Sequence, residues 1–93
     1  MTYKPSLNEE IRRTRLNLMI HSYLYYYQNT SIISDSLYDE MSTRLVDLQA
    51  KKSKIGFYDE EFSDWDGSTG YHLPTNNYIV GKAMWLLRYM ERK

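Results

Sequence analysis

An all-α fold built on a three-helix core is predicted by three features of the sequence. Apolar residues recur at helical spacing in three separate segments. A residue suited to capping a helix stands at the head of each segment. Between the first two segments lies a short run of turn formers, "QNTSIIS" (residues 28–34), that no long helix would contain.

The first helix opens at "SLNE". Ser6 is placed to cap it and Glu9 follows three residues later, a capping-box pattern, with Pro5 just ahead as an entry residue. Nothing breaks the helix from Leu7 to about Gln28. Leu16, Ile20, Tyr23 and Tyr27 define its expected buried stripe, widened by Leu18 and Tyr25. A helix of about 21 residues runs roughly 32 Å. Asn29, Thr30 and Ser31 then turn the chain, and Ile32 and Ile33 are expected to fold back on the first helix. Ser34 or Asp35 caps a second helix of about Asp35 to Lys51, buried along Tyr38, Met41, Leu45 and Leu48. Lys51, Lys52 and Lys54 complement the dipole at its C-terminal end. Residues 55–74 read as a long ordered loop, with room for a short hairpin, pinned by Phe57, Phe62, Trp65 and Tyr71 and turned at Asp66-Gly67. A last helix starts at Thr75 or Asn76 and ends near Glu91. It has two apolar stripes, Ile79, Ala83, Leu86, Met90 and Val80, Met84, Leu87, so it is expected to be clasped by the other two helices. The organisation is a single domain over 1–93: a helical hairpin at 7–50, the loop at 55–74 and the C-terminal helix at 75–91.

Composition narrows the function. Twelve basic and twelve acidic residues cancel, and no dense basic stripe is present, which argues against direct nucleic-acid binding through phosphates. There is no cysteine, so disulfides, thiolate metal sites and a cysteine nucleophile are absent from this sequence. No apolar run reaches the roughly 20 residues of a membrane span, and "MTYKPSLNEEIRR" has no hydrophobic signal core. A soluble, cytoplasmic protein is the expectation. His21 and His72 bear no ligand-like spacing to each other, so no metal is expected. "DWDGSTG" (64–70) lacks the frame and the lysine of a phosphate loop and reads as a tight turn. Asp59, Glu60, Glu61, Asp64 and Asp66 form an acidic loop: a solvated surface, or a face for a basic partner.

The segment "YLYYYQNTSIISDSLYDEM" (23–41) holds five of the ten tyrosines and two aspartates four residues apart. Asp35, Tyr38 and Asp39 lie at i, i+3 and i+4, on one face of the second helix. A hairpin brings Tyr25 and Tyr26 toward that face. Tyrosine rings offer flat, electron-rich surfaces to a cationic ring, and carboxylates are strong acceptors for hydroxyl groups. Each residue also has a plain structural account. Tyr23 and Tyr27 lie on the expected core stripe, Tyr25 and Tyr26 serve packing as readily as binding, Asp35 suits a cap, and Asp39 suits a solvated first turn.

Over "IHSYLYYYQNTSIISDSLYDEMSTRLVDLQ" the chain resembles the N-terminal helical domain of NAD-dependent bacterial DNA ligases: a helix ending in tyrosines, a short loop, a D-x-x-Y-D helix start (Asp35, Tyr38, Asp39) and a leucine-rich stretch. The resemblance covers about residues 7–50. It implies that Tyr25 and Tyr38 pack around the nicotinamide ring, that Tyr26 lies near the phosphate, and that Asp35 and Asp39 hold ribose hydroxyls and nicotinamide polar groups of NAD or nicotinamide mononucleotide (NMN). The family's K-x-D-G nucleophile motif occurs nowhere in this sequence, so no lysyl-adenylate is expected and the chain is not expected to be an enzyme. In the family the other wall of the nicotinamide site lies on a further domain. Trp65, Asp66, Tyr71 and His72 have the chemistry to replace that wall, or their loop covers the site. The reading is a stand-alone, non-catalytic NAD or NMN binder. The alternative is a protein-interaction or host-inhibitor module of phage type, and hydrolysis at the nicotinamide ribosyl bond by Asp35 or Asp39 is a third, less supported one.

Overall fold

The computed structural model describes residues 5–30, 32–67 and 73–91, which form three helices, α1 (Leu7–Tyr27), α2 (Asp35–Lys51) and α3 (Asn77–Glu91), with no strand among them. The caps follow local chemistry. Ser6 Oγ accepts from the Glu9 amide at 3.2 Å and heads α1. Ser34 Oγ accepts from the Leu37 amide at 3.1 Å, which makes Ser34, not Asp35, the cap of α2. Asn76 Oδ1 accepts from the Ile79 amide at 3.1 Å at the head of α3. Helix α1 ends where Asn29 takes a left-handed conformation (φ 52°) and the Thr30 amide returns to the Leu24 carbonyl; asparagine is among the few side chains that adopt this geometry at low cost.

The helices are arranged differently from the expectation. It is α1 that sits between the other two: α2 and α3 each pack on α1 and, among the described residues, not on one another. The buried surface of α1 is therefore wide, and it overlaps the expected stripe only at Leu18 and Ile20. Ile11, Leu18, Met19 and Leu24 are buried, together with Ile20, whereas Leu16 and Tyr23 are half-buried. Tyr27, expected in the core, is 50% exposed and stacks on Tyr23 with ring centroids 5.7 Å apart. A phenol ring can cover a neighbour with one face and keep the other wet. On α2, Leu45 and Leu48 are buried as expected, while Tyr38 and Met41 pack at the edge of the core. On α3, Ile79 and Ala83 face α1, Leu86 and Leu87 pack at the margin, and Met90 is exposed.

The segment after α2 is held by a buried arginine. Arg15, on α1 and fully buried, donates from Nε to Gln49 Oε1 (2.8 Å), from Nη1 to the Phe57 carbonyl (2.6 Å) and Asp59 Oδ1 (2.8 Å), and from Nη2 to the Ser53 carbonyl (2.8 Å). Gln49 Nε2 in turn donates to the Phe62 carbonyl. Phe62 and Trp65 are buried side by side, and the Trp65 indole N–H donates to the Ser42 carbonyl at 3.1 Å. Gly67 closes the run at φ +83°, passing close to Ser42 and Val46 of α2; its backbone conformation is one that side chains rarely adopt. No hairpin forms among the described residues of this segment. Tyr71 and His72 lie outside the described residues.

Asp59 also accepts from the Ile55 and Gly56 amides, both at 2.9 Å. Those two amides and the Arg15 guanidinium hold its carboxyl down at about 2, below its ordinary value of 3.8. A lowered folded-state value contributes stability that is complete above the ordinary value and lost as pH falls toward the folded one. Urea midpoints are therefore expected to hold steady at neutral pH and to fall between about pH 4 and pH 2. Asp59→Asn should flatten that part of the profile; an Asn variant with the full wild-type acid slope would assign the slope to other carboxylates.

Candidate functional site

The end of the hairpin where α1 finishes and α2 begins encloses a cavity of about 270 Å³. From α1 it is lined by His21, Ser22, Tyr25 and Tyr26, from the connection by Ile32, Ile33 and Ser34, and from α2 by Asp35, Tyr38 and Asp39. All five residues singled out in the sequence thus border one space. Their placement follows from helix periodicity. His21 and Tyr25, and Ser22 and Tyr26, are one turn apart on α1, and Asp35 and Asp39 are one turn apart on α2.

The walls differ in character. Tyr25 (55% exposed) and Tyr26 (38% exposed) form the open rim, with ring centroids 4.9 Å apart and planes nearly perpendicular at 83°. This edge-to-face pairing presents one ring face and one ring edge. Tyr38 forms the back wall, half-buried, and a 2.6 Å hydrogen bond joins its hydroxyl to Ser22 Oγ. Burial pushes the Tyr38 phenol above its ordinary value. The Ser22 hydrogen bond opposes that, and the nearby Tyr26 and Asp39 add to it. Tyr38 therefore keeps its proton at neutral pH and can donate. Burial lowers the His21 value, so its imidazole is neutral at pH 7. Ile32 and Ile33 give an apolar floor, and the exposed side chains of Asp35 and Asp39 bring acceptors to the mouth. Among the described residues the lining holds two carboxylates and no lysine or arginine.

His21, Ser22, Ile32, Ile33 and Ser34 were not among the sequence candidates for binding. A signal for the first two was present, because each lies one turn before a chosen tyrosine. Trp65 and Asp66, considered as a replacement wall, do not line the cavity. Trp65 is buried against α2, and the clasp at Arg15 draws residues 53–62 to the opposite end of the hairpin, beside the start of α1 and the end of α2. Within the described residues this loop neither walls nor covers the site. No cluster of metal-ligating side chains occurs among the described residues, and no described helix is long and apolar enough to cross a membrane.

Residues 4–59 match the family model described as "DNA ligase-like, N-terminal NAD+-binding domain". A 41-residue segment is 39% identical to the DNA ligases of Thermotoga petrophila (strain RKU-1) and of Thermotoga sp. (strain RQ2); it covers 44% of this chain and 6% of each ligase. No solved structure gives a significant match. The family match runs past α2 to Asp59, further than the hairpin of 7–50 that the motif alone delimits, so it takes in both the cavity and the Arg15 clasp. Since that match spans more than half of the chain, the protein belongs to the family of DNA ligase-like, N-terminal NAD+-binding domains.

Proposed function

We propose that the α1–α2 cavity binds the nicotinamide-ribose half of NAD or NMN and that this chain carries out no chemistry on it. The observation that carries the reading is the convergence of Tyr25, Tyr26, Asp35, Tyr38 and Asp39 on one small, open space. A volume of 270 Å³ lies just below the usual range for ligand sites, about 300–1,000 Å³, and suits a ring and a pentose better than a whole dinucleotide. In this reading Tyr25 and Tyr38 flank the cationic ring, each contributing about 0.5–2 kcal/mol. Asp35 and Asp39 accept from ribose hydroxyls and the carboxamide, and the neutral His21 adds no opposing charge. A catalytic role lacks support, since the K-x-D-G motif is missing from these 93 residues.

The charge of the lining makes the ligand preference specific. Two carboxylates favour the oxidised, cationic nicotinamide over the reduced, neutral one. With no cation among the described lining residues to meet a phosphate, nicotinamide riboside should bind at least as tightly as NMN. The test is an NMR titration of the protein with NMN, nicotinamide riboside and reduced NMN, repeated on Asp39→Ala. Saturable shifts at millimolar concentration or below, centred on residues of the cavity and lost in the variant, are expected. Spectra unmoved by all three ligands would remove the binding role. That outcome would leave the second reading, a protein-interaction module, which the exposed aromatic side chains of α3 favour.

A further inference from the structure

Among the described residues that line the α1–α2 cavity, Ser22 alone is buried, at 3% exposure. It stands on the same face of α1 as Ile11, Arg15 and Leu18. A hydroxyl in such a place costs free energy unless it is hydrogen-bonded. Within a helix the ordinary partner is the carbonyl four residues back. Thr14 takes that partner, donating to the Glu10 carbonyl at 2.7 Å. The Ser22 hydroxyl is joined instead across the hairpin to the Tyr38 hydroxyl of α2, at 2.6 Å.

The fold alone does not call for this pair. A neutral hydrogen bond contributes about 0.5–1.5 kcal/mol net, and replacing both partners by apolar groups of the same shape is nearly neutral. Alanine at 22 with phenylalanine at 38 would serve the core about as well. What the bond fixes is the far end of the Tyr38 ring. Tyr38 lies near the start of α2, half-buried at the edge of the core. A ring held only at its Cβ can change rotamer there. Held at both ends, it keeps one orientation as the back wall of the cavity. The rim has a brace of another kind, since Tyr25 packs edge-to-face on Tyr26 with centroids 4.9 Å apart.

We infer, resting on the nicotinamide-ribose reading of this cavity, that Ser22 is a positioning residue: its bond to the Tyr38 hydroxyl sets the ring against which the cationic nicotinamide packs, and so adds to the preference for the oxidised ring over the reduced one. Attraction between a cation and an aromatic ring depends on the cation lying over the ring face. A Tyr38 ring free to turn gives up part of that attraction. The reduced, neutral ring has little of it to lose. At about 0.5–2 kcal/mol for such a contact, the whole of it corresponds to about 2- to 30-fold in affinity.

The test is an NMR titration with nicotinamide riboside and with its reduced form. Neither carries a phosphate, so the comparison isolates the ring. Three proteins are compared: wild type, Ser22→Ala, and Ser22→Ala combined with Tyr38→Phe. Ser22→Ala is expected to weaken binding of the oxidised riboside about fivefold and of the reduced one less than about twofold. The double variant should lose the same preference while its thermal midpoint stays close to that of the wild type, because both partners of the bond are gone. A merely structural role would move the midpoint and both affinities together. Ser22→Ala that binds both ribosides as the wild type does, or loses both equally, overturns the positioning role and leaves the binding site standing. So does a double variant that keeps the wild-type preference. A wild-type protein that binds neither riboside removes the site and the role together.

Discussion

Arg15→Met is expected to destabilise the fold by about 3–5 kcal/mol, the cost of removing one partner from a buried, hydrogen-bonded ionic cluster. The arginine fills a site with no exposed surface and makes four hydrogen bonds, two of them to backbone carbonyls of residues 53 and 57. Methionine has similar reach and no donor. The Gln49 amide oxygen and both carbonyls then lose their partner in a site that water reaches poorly, and each unsatisfied acceptor costs about 1–3 kcal/mol. Total stability for a domain of this size is about 5–15 kcal/mol, so the variant approaches the unfolding threshold. For a chain of 60–100 residues each kcal/mol moves the midpoint by about 4–8 °C, which puts the predicted fall at about 12–40 °C. Arg15→Lys should recover little, because one ammonium cannot span acceptors contributed by α2 and by two points on the following segment. Thermal and urea unfolding followed by circular dichroism measure both. A loss below about 1 kcal/mol for Arg15→Met would mean that the cluster only breaks even against a hydrophobic replacement, as some buried ion pairs do.

Arg15 also shows where sequence reading stopped short. Ile11, Arg15, Leu18 and Ser22 share the face of α1 that is most deeply buried, but two of the four are polar. An apolar stripe therefore centres on Leu16, Ile20, Tyr23 and Tyr27, widened by Leu18 and Tyr25, and of these six only Leu18 and Ile20 are buried. Two facts make that face the core: α1 is the central helix, and the guanidinium is satisfied by a segment about forty residues downstream. Neither is written in local periodicity, since both depend on long-range packing. The helices themselves were legible almost to the residue, because their ends are fixed by short-range chemistry: Ser6 with Glu9, the turn formers of 28–34, Asn76 with Ile79. The cavity was legible for a related reason. Residues one turn apart must share a face, and a short connection between two helices brings the facing residues together, so Tyr25, Tyr26, Asp35, Tyr38 and Asp39 converge by geometry. The path of residues 53–67 away from that cavity could not be read, since it depends on Arg15 and on where Phe62 and Trp65 find room.

Asp35→Asn combined with Asp39→Asn is expected to weaken NMN binding about a hundredfold and leave the fold nearly unchanged. Asparagine keeps the shape and one acceptor oxygen of each side chain and removes its charge. Hydrogen bonds to charged groups contribute about 1.5–3 kcal/mol. Both carboxylates are at the exposed mouth of the cavity, so the lower figure applies to each, about tenfold in affinity. Stability should drop by no more than about 1 kcal/mol, since Ser34 supplies the cap and only first-turn charge at the α2 N-terminus is lost. The two contributions separate by ligand. Weakened attraction to the cationic ring should act on nicotinamide riboside as strongly as on NMN, and should scarcely touch the reduced, neutral nicotinamide. Relief of repulsion should act on NMN and reduced NMN, because both carry a phosphate and the riboside does not, so the double variant should lose more affinity for the riboside than for NMN. Raised salt should mimic the double variant in the wild-type protein, as screening over about 8–10 Å weakens exposed charges. Equal losses for the cationic and the neutral ring would refute a charge-selective mouth and would assign the carboxylates' contribution to hydrogen bonds with the ribose and the carboxamide, which both ring states carry.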